Sequence, residues 1–204
     1  MQRRFGDRFG GWLIGLPITT GPFILIVCLQ EGIAFGGHTA RGILLGQMAL
    51  IAFCWVYAQC VLRLSWLPAI VMATFATVLV GYLVTAFKFS DWVTTPVLVL
   101  FWLICMRFWP KSAGEVQKIS HPHWELPIRI IFTITLMVGL SALAPHLGAK
   151  IAGALSTYPV IASVIGAFNH RKFGPSATIS TLRGLMQTLP ITMTIIFGLA
   201  LVLR

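Results

Sequence analysis

Apolar residues run along this chain in long unbroken blocks separated by short polar or glycine-bearing stretches. The hydrocarbon core of a bilayer asks for about 20 apolar residues per helix. On that ruler the blocks predict seven helices, at roughly 11–34, 41–63, 66–87, 92–109, 127–145, 148–169 and 182–203. The runs do not alternate and are too long for barrel strands, so helices are expected. The expected fold is an all-α polytopic transmembrane bundle, one integral membrane domain over 1–204.

One element occurs twice. The first copy is Gly10-Gly11-Trp12-Leu13-Ile14-Gly15-Leu16-Pro17-Ile18-Thr19-Thr20-Gly21-Pro22, and the second runs from Gly148 through Gly153, Ser156, Thr157 and Tyr158 to Pro159. Each reads glycine, four residues, glycine, a short apolar link, two hydroxyl residues, one residue, proline. An apolar helix follows each, then a glycine-bearing loop, then an Arg-Gly pair, Arg41-Gly42 and Arg183-Gly184. Ile18 is an extra residue in the first copy, and the loop is five residues longer in the second. Counting spans makes the two copies antiparallel, which is the usual sequence sign of a transporter. The expected units are A over about 10–63 and B over about 127–204, joined by helices over about 66–109 and an inner loop at 110–126. Span five leads into the second copy, whereas only Met1 to Phe9 precede the first.

The repeated element carries the candidate chemistry. Proline has no N–H, so Pro22 frees the carbonyl of Ile18 and Pro159 that of Leu155. Nearby hydroxyls can satisfy those carbonyls or offer ligands to a solute. Thr19, Thr20, Gly21, Pro22, Ser156, Thr157, Tyr158 and Pro159 are therefore the candidate substrate-binding residues, expected near the bilayer midplane. The competing reading is a packed kink, since proline and glycine are common in membrane helices. Arg41 and Arg183 are expected to open helices, where a cation opposes the macrodipole. They read as contacts for an anionic solute or headgroup, as gating residues, or as side chains snorkelling to the interface. Glu31 reads either as a coupling-ion residue or as a salt-bridge partner of Arg41. Asp91 reads as a helix cap. Gln47 and Gln187 read as hydrogen-bonding partners between helices.

Composition supports the membrane reading. The 204 residues are 57% hydrophobic and 10% charged, more apolar surface than a soluble domain hides. The net charge of +10 is spread unevenly. Arg3, Arg4, Arg8, Arg63, Arg107, Lys111, Lys118, Arg129, Arg171, Lys172 and Arg183 fall on one side of the expected topology. Arg41, Lys88, Lys150 and Arg204 fall on the other. That asymmetry places the N-terminus in the cytoplasm and the C-terminus outside. The excess should meet anionic lipid headgroups, not nucleic acid. Cys28, Cys54, Cys60 and Cys105 sit in expected spans and read as small apolar residues. His121, His123 and Glu125 are weighed as metal ligands, but with Trp124 among them an interfacial segment is expected and no metal site. His170-Arg171-Lys172 reads as an interfacial anchor. No catalytic motif is present, so neither enzyme activity nor a cofactor is expected.

The stretch Ile151-Ala152-Gly153-Ala154-Leu155-Ser156-Thr157-Tyr158-Pro159, the apolar run to His170, and Leu182-Arg183-Gly184 resemble the GlpM family of small bacterial inner-membrane proteins. The likeness covers about 50 residues. It implies a bacterial inner-membrane location and a link to exopolysaccharide production, with two family-like units fused in one chain. Two functions are carried forward. The first is a small secondary transporter or exporter with a midplane site, whose small protomer would form a homodimer. The second is a non-transporting accessory protein for envelope or exopolysaccharide biosynthesis. The solute is not specified by the sequence.

Overall fold

The computed structural model describes residues 28–30, 32–86, 91–111, 130–131, 134–135, 138–139 and 158–203. Every described element is helical. We number them α1 (Ile33–Cys60), α2 (Trp66–Ala86), α3 (Asp91–Arg107) and α4 (Val160–Val202). Thr39–Cys60, Trp66–Val84 and Val160–Val202 are long and apolar enough to cross a membrane, and Val93–Arg107 is a shorter apolar helix. α1 is central and packs against the other three. Its buried positions include Ala40, Leu44, Met48, Ile51, Phe53, Cys54, Tyr57 and Ala58.

α4 is two helices in one. Gly174 has φ 81° and ψ −175°, a conformation that L side chains rarely adopt, and it breaks the helix. Pro175 then stands at the first position of the second arm, where its missing N–H costs nothing. The arms fold back on each other, because Asn169 Nδ2 donates to Thr181 Oγ1 at 2.8 Å. An unbroken helix would hold those two residues about 18 Å apart along its axis. Farther along, Pro190 withholds an N–H from the carbonyl of Met186. Trp102 of α3 supplies the replacement, its Nε1 donating to that carbonyl at 2.8 Å.

Contacts between helices fix which ends meet. Gln59 near the end of α1 donates to the carbonyl of Phe108 just past α3, at 2.8 Å. The Arg171 guanidinium lies 5.6 Å from the centre of the Trp66 ring at the start of α2. The α4 elbow, the ends of α1 and α3 and the start of α2 therefore share one end of the bundle. At the opposite end, a Cβ on Gly37 would sit 2.7 Å from the carbonyl oxygen of Leu203, so the start of α1 touches the end of α4. α1 and the second arm of α4 thus run antiparallel.

The structure corrects several boundaries. The second span was expected to begin at 41, but α1 begins at Ile33, just after Gly32, whose φ is 95° and ψ 163°. Gly37 does not break this helix, because it serves as a packing contact. The loop expected across 170–181 shrinks to Gly174 alone. Arg41 and Arg183 consequently lie about two turns inside their helices and do not open them. The first expected span lies almost wholly outside the described residues and the fifth lies only partly within them.

Candidate functional site

Tyr158 and Pro159 are not helical, the latter with φ −80° and ψ 72°, and α4 starts at Val160. The depth of this helix start follows from its neighbours. The Tyr158 hydroxyl is 3.1 Å from Thr74 Oγ1. Thr74 lies about 12 Å along α2 from Trp66, in a helix about 31 Å long. Measured the other way, the first arm of α4 carries Tyr158 about 20 Å from the elbow. The start of α4 therefore sits near mid-depth of the bundle.

Aromatic rings surround it. The Phe53 ring meets that of Tyr158 edge-on at 6.0 Å between centroids and that of Tyr57 at 5.6 Å, tilted. Edge-to-face geometry at these distances is favourable. Tyr57 in turn lies edge-on to His170, 6.1 Å away. Gly166 makes room for it: a Cβ there would fall 2.5 Å from Tyr57 Cε1. Ser163, Gly166 and His170 recur at helical spacing, and Gly166 and His170 both meet Tyr57 on α1. Ser163 is buried and turns its hydroxyl back to the carbonyl of Val160 at 2.8 Å.

This row of groups is polar without being charged. From mid-depth toward the elbow it runs Thr74, Tyr158, Tyr57, His170. Tyr57 is fully buried, yet neither its hydroxyl nor His170 Nδ1 finds a hydrogen-bond partner among the described residues. Burying a polar group without a partner is costly, so two such groups in adjoining rings mark a place suited to a hydrogen-bonding guest. The hydroxyls can donate and accept, and the imidazole presents a second polar edge.

The expected site residues are only partly within the structure. Thr19, Thr20, Gly21, Pro22, Glu31, Ser156 and Thr157 lie outside the described residues, as do His121, His123 and Glu125. Tyr158 and Pro159 stand just before α4, both half-buried. Arg41 is half-buried about 18 Å along α1 from Phe53, and Arg183 is exposed on the second arm of α4. Neither arginine belongs to the aromatic cluster. Phe53, Tyr57 and Thr74 were not foreseen. His170, expected within an interfacial anchor, is half-buried and has one ring nitrogen enclosed.

No protein-family model, curated protein or solved structure matches the chain.

Proposed function

We propose that this protein is a small secondary transporter or exporter, with its solute site at the Tyr158–Pro159 break. The observation that carries the reading is a helix starting at mid-depth beside the half-buried hydroxyls of Tyr158 and Thr74. Non-helical backbone at membrane depth is tolerated where protein covers it or where it lines a water-filled cavity. Transporters place their solutes at such broken helices. Thr74, Tyr158, Tyr57 and His170 offer hydrogen bonds and aromatic faces, which fits a small polar solute. Arg41 and Arg183 would act near the two mouths, since their helices are antiparallel.

The inverted-repeat reading gains support from the backbone. Gly32 and Gly174 share one unusual conformation, φ 95° with ψ 163° and φ 81° with ψ −175°. Each is followed at once by a long helix, and Arg41 and Arg183 stand at the same distance beyond their glycines. The five extra residues of the second copy fall between its proline and its glycine. Two matched glycine–helix units lying antiparallel are what an axis in the membrane plane would generate. Seven spans, a cytoplasmic N-terminus in a bacterial inner membrane, and a homodimer complete this proposal. The likeness to the GlpM family carries only the bacterial inner-membrane location.

The test is solvent access. In a chain lacking its native cysteines, Thr74→Cys and Ser163→Cys are placed in sealed vesicles of both orientations, with Ser65→Cys as an exposed control. Labelling of half-buried position 74 and buried position 163 by a membrane-impermeant thiol reagent, from either side, is expected. If only position 65 labels, the break is a dry kink, transport through it is refuted, and the accessory function takes its place.

A further inference from the structure

The elbow end of the bundle carries a second feature, independent of the transport reading. Arg63, Arg107, Lys111, Arg171 and Lys172 all belong to this end. Asp91 is the one carboxylate among the described residues, and it opens α3 at the opposite end. Arg171 is held in place by the Trp66 ring, 5.6 Å away, which fixes a planar fork of donors suited to phosphate. Arg63 is exposed in the turn just before Trp66. Directly below Trp66, α2 presents an exposed apolar row of Leu67, Val71, Phe75 and Leu79. The row is about 18 Å long, close to one leaflet's share of a roughly 30 Å hydrocarbon core.

We propose that this corner binds one anionic phospholipid, its phosphate held by Arg171 and Arg63 and an acyl chain lying along Leu67, Val71, Phe75 and Leu79. Charge selects the headgroup. A glycerol-type headgroup leaves the phosphate charge uncompensated, whereas a choline headgroup brings its own cation toward five others. The apolar row selects a lipid over a free phosphate ion. Trp66 joins the two halves, stacking under the guanidinium at the level where amphipathic rings favour the interface.

Native mass spectrometry of the full chain, titrated with phosphatidylglycerol, tests the seat. A cation in direct contact with the headgroup phosphate contributes about a fivefold gain in binding. Arg171→Gln and Arg63→Gln should each weaken the lipid adduct about fivefold, and the pair about 25-fold. Arg107→Gln and Lys111→Gln should leave it within about twofold. Arg171→Lys keeps the charge and loses the planar fork, so it should remain weak although the protein folds. Equal weakening by all four glutamine variants, or full binding by Arg171→Lys, would show diffuse attraction and overturn the seat. Equal adducts with phosphatidylcholine, or displacement of the lipid by inorganic phosphate, would also overturn it.

Discussion

α1 and α2 are alike in sequence and opposite in situation. Both are long, apolar and nearly free of charge, yet 56% of the most apolar window of α1 is buried in the protein against 28% for α2. Hydropathy reports that a helix avoids water; it does not say whether lipid or protein replaces the water. Side-chain size and chemistry separate the two. α1 buries Ala40, Ala49, Ala52 and Ala58 along with Gln47, and small residues with occasional polar ones are what membrane helix interfaces favour. α2 turns Leu67, Val71, Phe75 and Leu79 outward, and lipid accepts them without any specific fit.

The contrast is sharpest at two phenylalanines. Phe53 on α1 is fully buried, and Phe75 on α2 is 69% exposed. Phe53→Ala should cost about 3–5 kcal/mol; Phe75→Ala should stay within about 0.5 kcal/mol. Thermal or denaturant unfolding in one detergent measures both, and equal losses would erase the distinction. A smaller effect is expected at Gly166, where an added methyl meets the Tyr57 ring. Gly166→Ala should destabilise by about 1–3 kcal/mol, and Tyr57→Ala in the same chain should remove most of that penalty. The smallest effect probes the hydrogen bond between Thr74 of α2 and Tyr158. A double-mutant cycle of Thr74→Val with Tyr158→Phe should give about 0.6 kcal/mol, a usual value for such bonds in membranes. A coupling of zero would mean that α2 serves only as packing there.

Long apolar blocks made much of the helical layout legible. The expected 66–87 and 92–109 correspond to α2 and α3 within about two residues, the normal uncertainty of helix ends. Glycine was the main source of error. Gly36-Gly37 and the 170–181 stretch both read as loops, yet α1 runs through Gly37 because its missing side chain lets the Leu203 carbonyl approach. Only Gly32 and Gly174 adopt positive φ among the described residues, and sequence does not mark which glycines will. Tyr158 was legible because a proline follows two hydroxyl residues and a tyrosine. Its partners were not, since Phe53, Tyr57 and Thr74 come from helices that are apolar on every side. Such helices carry no periodic signal to show which face turns inward.

The contact between Gly37 and Leu203 also has a bearing on biosynthesis. A ribosome works at roughly 5–20 residues per second, and nearly the whole chain separates these two positions. The start of α1 must therefore wait on the order of ten seconds before the strand of backbone that covers it exists. During that interval Gly37 lacks the backbone that later packs on it, and that end of the helix awaits its partner. The start of α1 is therefore made well before the contact that closes over it.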